Sequence, residues 1–265
     1  MERTASMIWS TAVLFCACFL ASSSLMAQKE SESFDKAIKE TVVDLGVSPY
    51  YAELPSQRHG QLRCHYFQRF MAKELDWGQE GDDWISIAPN DPAHLTPCTQ
   101  EHAEGEAVFP GEDGDVGYFG GVKGNFVFLD AADCFDRGCP FGVFDAFTRK
   151  KLFEDWKRLR PKGKIAEIRF AKSGRNLVMR YPRVVAAKCS LPQRRSECWM
   201  EILRSTRLAP QPMPKCFAYD GFDRRTGSGT SDQSDPSVVS FPVEVTIPDF
   251  KRRILPGAVA CWAAD

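Results

Sequence analysis

The stretch GYFGGVKGNFVFLDAADCFDRGCPFGVFDAFTRKKLFE, residues 117–154, carries the clearest structural pattern in the chain. Its apolar and aromatic residues come in short runs broken by glycines, and the runs 141–145 and 151–154 are joined by a turn. The side chains of Asp145 and Thr148 can bond the backbone of such a bend. The pattern predicts antiparallel hairpins. A propeller is excluded, because it would repeat this hairpin in every blade and the sequence holds one copy.

Similar short segments recur from about residue 61 to the end of the chain. The predicted strands lie at 62–70, 84–88, 165–171, 177–187, 199–203, 238–247 and 258–262. One amphipathic helix is predicted before them at 32–46, since apolar residues recur there at three- and four-residue steps and Gly46 follows. Many short strands with a single N-terminal helix predict a mainly β fold, either an antiparallel β-sandwich or an open barrel.

The N-terminal segment has the order typical of a secretory signal peptide. A basic residue, Arg3, precedes the apolar run 7–20, and small residues follow at 21–24. Cleavage after Ala27 is our first choice and cleavage after Ser24 the alternative. Residues 1–27 are therefore predicted to direct export and to be removed, which leaves 28–265 as a single exported β-rich domain.

Two other interpretations of this segment remain open. It could stay as a membrane anchor, although the run of serines and the lack of a following basic stop argue against a spanning helix. It could also belong to a lipoprotein acylated at Cys16 or Cys18. The bulky Phe15 precedes Cys16, where a small residue is wanted. We favour export and cleavage, with no membrane contact afterwards.

Ten cysteines are present, and two of them lie in the predicted signal peptide. The other eight are an even number in a chain predicted to be exported, which indicates disulfide bonds. Spacing favours Cys134–Cys139 across a tight loop and Cys189–Cys198 across a polar connection that suits a hairpin. The simplest pairs for the rest are Cys64–Cys98 and Cys216–Cys261. Eight cysteines allow on the order of 100 pairings, so the sequence leaves the connectivity open.

The composition and net charge of the chain limit which kinds of binding partner are expected. The 265 residues are 43% hydrophobic and 26% charged, with a formal net charge of −1, which is ordinary for a globular chain. A balance so near neutral supplies no broad positive field, so neither nucleic acid nor anionic lipid is expected as a partner. The polar, glycine-rich stretch 222–236 is predicted to be a mobile loop or hinge.

Acidic residues and tryptophans cluster between the predicted strands 62–70 and 84–88, with the second tryptophan at the start of the latter. Two Asp-Trp pairs flank further acids, and glycosidases use two carboxylates across a sugar that stacks on aromatic rings. The candidate catalytic residues are Asp76, Glu80, Asp82 and Asp83, and the candidate ligand-binding residues are Trp77 and Trp84. We favour the competing interpretation, an acidic turn beside two core tryptophans, because spacing alone fixes no geometry.

No metal ion and no cofactor is predicted. Two acid-rich stretches could suggest calcium, but neither has the spaced ligands and terminal glutamate of a calcium loop, so acidic turns are favoured: Glu112, Asp113 and Asp115, then Asp130, Asp133 and Asp136. A third candidate is a zinc site at His94, Cys98 and His102, residue types that bind zinc and that would lie on one face if this stretch were a helix. Pro92 and Pro97 break any helix there, and Cys98 is wanted for a disulfide.

The sequence also lacks the usual patterns of nucleophilic catalysis. It has no Gly-x-Ser-x-Gly elbow, and its four histidines limit histidine-based acid–base schemes. The leading hypothesis is a non-catalytic module, periplasmic or secreted, that binds a protein or a small molecule outside the cytoplasm. The alternative is a secreted hydrolase that acts on glycans through the acids at 76–83.

Overall fold

The computed structural model describes residues 34–109, 117–132, 134, 138–158, 165–171, 176–217 and 234–263, where the chain forms fourteen strands and one helix. The elements are β1 Lys39–Val47, β2 His59–Tyr66, β3 Phe70–Asp76, β4 Trp84–Pro89, β5 Ala107–Val108, β6 Tyr118–Lys123, β7 Phe126–Asp130, β8 Cys139–Asp145, β9 Lys151–Lys157, β10 Glu167–Phe170, β11 Leu177–Ala186, α1 Leu191–Thr206, β12 Ser237–Ile247, β13 Lys251–Ile254 and β14 Ala260–Ala263. The predicted signal peptide and most of the predicted loop 222–236 lie outside the described residues.

The strands form two antiparallel sheets. The first has the order β1-β2-β3-β4-β5, so each strand pairs with the next along the chain. The second has the order β13-β12-β11-β9-β8-β7-β6, with β10 paired to β11 and β14 paired to β12. Neither strand order closes into a barrel among these residues. The prediction of a mainly β fold, an antiparallel sandwich or open barrel, is confirmed: the described residues form two antiparallel sheets and no closed barrel.

The sheets pack face to face through a shared apolar layer. On β7 and β8, alternate side chains such as Val127, Leu129 and Phe144 meet Ala72, Ile85 and other residues of the first sheet. The side chains between them, such as Phe128 and Val143, point the other way into a larger core that contains the buried face of α1. Because side chains alternate between the two faces of a strand, the second sheet packs into one apolar layer on each of its faces.

The outer face of the first sheet is covered by a loop. Leu62, Cys64 and Tyr66 of β2 are buried there and alternate with less buried residues, as the period of two of a strand requires. Leu95, Cys98 and Ala103 of the connection between β4 and β5 pack over them. The predicted single strand 62–70 is in fact two strands, since the chain turns after Tyr66 and returns as β3.

The predicted N-terminal helix is wrong. Residues 39–47 form an edge strand that pairs with β2, from Lys39 opposite Tyr66 to Val47 opposite His59. Thr41, Val43 and Leu45 are half-buried and alternate with exposed residues, which is the period of a strand. Ile38 and Val42, two apolar residues at helical steps, are exposed. β-Branched residues favour the strand. Gly46 has φ of 82° and lies at a register shift in β1, so it does not stop a helix.

The predicted hairpin 189–198 and strand 199–203 are also wrong, because this region is α1. Ser190 caps the helix and accepts a hydrogen bond from the Gln193 amide, and a proline follows in the first turn. Cys198, Trp199, Ile202 and Leu203 are buried at helical spacing. The chain bends at Arg195, whose φ is 34°. Tertiary burial of one face explains why a weakly patterned segment is helical here.

Substitution of Ser190 by alanine is expected to lower the free energy of unfolding by about 1 kcal/mol, because the Gln193 amide loses its acceptor. Urea unfolding followed by circular dichroism measures this loss. The matched control is Ser196→Ala on the exposed side of the same helix, which we expect to change stability by less than about 0.5 kcal/mol. Equal losses in the two variants would rule out a capping role for Ser190.

The eight cysteines outside the predicted signal peptide lie at disulfide distance in the same four pairs that spacing favoured. The Cα–Cα distances are 5.9 Å for Cys64–Cys98, 4.3 Å for Cys134–Cys139, 5.7 Å for Cys189–Cys198 and 4.4 Å for Cys216–Cys261. The first ties the covering loop to β2, and the third ties the start of α1 to its second turn. Four disulfides indicate an oxidising location outside the cytoplasm.

Candidate functional site

Two of the predicted catalytic acids organise the turn between β3 and β4. The Asp76 carboxylate accepts a hydrogen bond from the Gly78 amide at 2.6 Å, and the Asp83 carboxylate accepts one from the Trp77 amide at 2.9 Å. Bonds of this kind stabilise tight turns. Glu80 is exposed at the tip. These three acids therefore belong to a turn, as the favoured interpretation expected, and the structure does not gather them around a cleft.

The fourth predicted acid, Asp82, is in a different environment. Its side chain lies between the two sheets, the residue is 4% exposed, and neither carboxylate oxygen forms a hydrogen bond of normal geometry with a described residue. Burial raises the pKa of the Asp82 carboxyl to about 8, the charges of Glu74 and Asp76 act in the same direction, and the Phe119 amide and the Arg63 charge oppose them only in part. The protonated form of Asp82 is therefore favoured at pH 7.

The two predicted ligand-binding tryptophans lie away from Asp82. Trp77 and Trp84 pack on the outer face of the first sheet, under the covering loop. The Trp77 ring lies so close to Gly60 that a side chain at that position would collide with it. Trp84 lies 5.2 Å from the His102 ring, between centroids. The tryptophans are core residues, and they share no cleft with the acid that is buried between the sheets.

A histidine–carboxylate pair that the sequence analysis did not select lies near Asp82. His65 of β2 and Glu74 of β3 are diagonal neighbours, with 2.6 Å between Nε2 and Oε1. The other ring nitrogen is 3.6 Å from the Glu40 carboxylate, and the ring stacks on Phe119 of β6 with 5.0 Å between centroids. Burial alone would lower the pKa of His65, but the hydrogen bond and charge of Glu74 outweigh it and raise that pKa. The imidazolium form is therefore stabilised relative to that of a free histidine.

His65 lines a cavity of about 440 Å³ at the open edge between the sheets. One wall is the segment 34–37, which crosses between the sheets: the Asp35 amide donates to the Val122 carbonyl, and the Ile38 amide donates to the Tyr66 carbonyl. The opposite wall is β6. The lining combines aromatic rings with charged groups, and the residues are Phe34, Asp35, Lys36, Ala37, Glu40, His65, Phe67, Phe119, Gly120, Gly121 and Val122.

One signal in the sequence could have pointed to this cavity. In β2 the face opposite Leu62, Cys64 and Tyr66 carries Arg63 and His65, so polar side chains point towards the other sheet. A buried strand of a sandwich would normally present apolar residues on that face. These polar residues mark the part of β2 that lines the cavity. Their contacts with Glu74 of β3 and Phe119 of β6 could not be predicted from the sequence, because they depend on the fold.

The structure gives no support to a metal site in its described part. No group of three or more histidine, cysteine, aspartate or glutamate residues there is arranged to hold an ion. Cys98 is in a disulfide, and His94 and His102 contact Asp91 and Glu106. Asp130 binds the Lys157 ammonium at 2.6 Å. The other acids of the two suspected calcium stretches lie outside the described residues.

A second buried polar cluster lies on the outer face of the first sheet. The Lys73 ammonium is 3.0 Å from the Glu106 carboxylate, and both side chains are 0% exposed. Ser86, opposite Lys73 in the strand register, donates its hydroxyl to the same carboxylate at 2.5 Å. A serine beside a lysine can suggest nucleophilic catalysis, which needs a neutral lysine and access for substrate. Full burial and the ion pair indicate a structural role instead.

Comparisons with known proteins give no family to which the chain can be assigned. No protein-family model, no curated protein and no solved structure matches it. Among the described residues, no helix has both the length and the apolar character needed to cross a membrane. The class that the fold and the site define is a disulfide-bonded protein of two antiparallel sheets with a polar cavity at their open edge.

Proposed function

We propose that the protein is a non-catalytic binding module that acts in the periplasm or after secretion. The four disulfides support a location in an oxidising compartment, and residues 1–27 have the pattern of an export signal. We propose that its ligand, a small molecule or the side chain of a protein partner, occupies the cavity between segment 34–37 and β6.

The composition of this cavity is the observation that carries the proposal. Ligand sites are concave, and they combine apolar and aromatic surface with a few placed polar groups. Three phenylalanine rings supply the apolar surface here, while Lys36, Glu40 and the His65 imidazole supply charge. The Glu40 carboxylate contacts His65 at 3.6 Å, and because its side chain is 68% exposed it can rearrange around a ligand.

Binding is favoured over catalysis by the groups that line the cavity. Its described lining includes no serine, threonine or cysteine that could act as a nucleophile. The glycan-hydrolase alternative has less support, because Asp76 and Asp83 are bound to amides of their own turn and the tryptophans lie on the other face of the sheet. We therefore place the functional surface at His65 and Phe119.

A fragment screen tests the cavity as the ligand site. Amines, carboxylates, sugars and short peptides are screened against the full exported chain by thermal shift and by ligand-observed NMR. Ala37→Trp fills the cavity from segment 34–37, and Met200→Trp adds the same side chain on the exposed face of α1. Compounds that bind are expected to stabilise the wild-type protein and Met200→Trp alike, and to bind Ala37→Trp at least about tenfold more weakly.

Variants at charged positions then identify the polar contacts. His65→Phe keeps a ring against Phe119 and removes the imidazolium, so we expect it to weaken binding of charged compounds more than of neutral ones. A screen without binders, or binders that stabilise Ala37→Trp as much as the wild type, would overturn the assignment of this cavity.

A further inference from the structure

The turn between β3 and β4 is docked on the second sheet. The Asp82 amide donates to the Gly117 carbonyl at 2.7 Å, and the Gly81 amide donates to the Tyr118 hydroxyl at 2.8 Å. Gly81 has φ of 86° and lies so near Ala132 that an added Cβ would be 2.9 Å from the alanine Cβ. Two hydrogen bonds and one close approach therefore connect the turn to β6 and to the end of β7.

The Asp82 side chain lies at this contact, where acids outnumber bases. From the first sheet it faces Glu74 and Asp76 of β3 and Arg63 of β2, with His65 bound to Glu74 behind them. From the second sheet the neighbouring titratable groups are the Tyr118 phenol and Asp130, which is neutralised by Lys157. The Phe119 amide is the backbone donor that acts on the Asp82 carboxylate, but no described group forms a hydrogen bond of normal geometry with it.

We propose that Asp82 is a proton-operated latch between the two sheets: the protonated carboxyl keeps the turn docked, and loss of the proton releases the turn from the start of β6. The reason is that an ionised carboxylate without a well-formed hydrogen bond is strongly disfavoured at 4% exposure beside two other acids. Undocking of the turn would expose the carboxylate to water, where its charge is solvated.

The latch is connected to the proposed ligand site through β6. Tyr118, which holds the turn, is followed by Phe119, which stacks on His65 in the cavity wall. Release of the turn would therefore loosen that wall and change access to the cavity. This last consequence rests on the proposed function, whereas the latch itself does not.

The sign of the effect follows from proton linkage. The folded-state pKa of Asp82, about 8, lies above the ordinary aspartate value of 3.8, so the docked form is fully favoured at low pH and loses its advantage as pH rises. Between those two values the opening equilibrium grows by about tenfold for each pH unit. From pH 6 to pH 8 the expected increase in the undocked population is about 50-fold.

Hydrogen exchange at different pH values tests the latch in the intact, disulfide-bonded chain. Exchange is measured by mass spectrometry from pH 6 to pH 8 and corrected for the intrinsic pH dependence of amide exchange. The protection of amides in 77–83 and 117–123 is expected to fall by about 50-fold, while amides of α1 stay unchanged. The Asp82→Asn variant should keep its protection at pH 8, because its side chain has no proton to lose.

Two further variants separate the latch from a general loss of stability. Glu80→Gln changes an exposed acid of the same turn and should behave as the wild type. Tyr118→Phe removes the hydrogen bond from the Gly81 amide to the Tyr118 hydroxyl. It should raise hydrogen exchange of the turn at every pH while the pH dependence persists. Wild-type protection that does not change between pH 6 and pH 8, or an equal fall in Asp82→Asn, would overturn the proposal. The first result is informative even if Asp82→Asn fails to fold.

Discussion

Substitution of Glu106 by glutamine is expected to lower the free energy of unfolding by about 3–5 kcal/mol. The Lys73 ammonium would then remain fully buried, with the Glu101 carbonyl as its remaining partner among the bonds that the structure shows. Attraction between the charges, together with hydrogen bonds, offsets the desolvation of a buried pair, so removal of one member leaves an uncompensated charge.

Glu106 is the centre of this cluster, since four groups donate to or contact its carboxylate. Besides Lys73, these are the Ser86 hydroxyl, the Ala103 amide at 2.8 Å and the His102 ring at 3.0 Å. Burial by itself raises the pKa of Glu106, but these hydrogen bonds outweigh it and hold that pKa below its ordinary value of 4.5. The stabilisation is therefore present above pH 4.5 and is lost as pH falls through the depressed pKa.

Urea unfolding at pH 7 measures the loss, and two comparisons show its origin. Glu197→Gln breaks the exposed pair with Arg194 on α1 and is expected to cost less than about 1 kcal/mol. The double variant Lys73→Met, Glu106→Leu removes both charges and should recover part of the stability that Glu106→Gln loses, since the buried Ser86 hydroxyl still loses its acceptor. A loss no larger than that of Glu197→Gln would show that this buried pair does not hold the covering loop.

The strand pattern of the first sheet could be predicted because period-two burial is a local property. Leu62, Cys64 and Tyr66 alternate with polar residues, and the fold buries them as that pattern requires. The turn at 145–150 was also predictable, since Asp145 does accept hydrogen bonds from the backbone of Phe147 and Thr148. Such features depend on neighbours in sequence, which the chain itself provides.

The errors arose where contacts distant in sequence overrode the local pattern. Between 34 and 46 the apolar residues follow helical steps, but burial alternates with a period of two because β1 pairs with β2. In α1 the buried Leu191 is followed by a polar stretch that lasts until Cys198, so no helical apolar pattern is visible in the first half of the helix. Tertiary contacts overrode a weak local preference in both places.

The candidate site was less predictable than the fold. Asp82 was selected among four acids, but its burial depends on β6, more than thirty residues further along the chain. The pair of His65 with Glu74 depends on the register between β2 and β3. The sequence shows which residue types are available for a site. The register of the strands and the packing of the sheets determine which of those residues come into contact.

Removal of the disulfide between Cys216 and Cys261 is expected to lower the free energy of unfolding by about 4 kcal/mol. The bridge closes a loop with a sequence separation of 45, the largest of the four, and its Cys261 end is fully buried in β14. A cross-link restricts the unfolded chain more when the loop is longer. Guanidinium unfolding of the oxidised double variant Cys216→Ala, Cys261→Ala gives the loss directly.

The matched control is the double variant Cys134→Ala, Cys139→Ala, whose bridge has a sequence separation of 5. From the entropy lost by the unfolded chain, that bridge is expected to contribute about 2 kcal/mol to the free energy of unfolding, half the contribution expected for the long loop. Double substitution in each case avoids a free thiol that could pair wrongly. If both variants lost the same stability, the bridges would act through local packing, and restriction of the unfolded chain would not explain why this fold carries four of them.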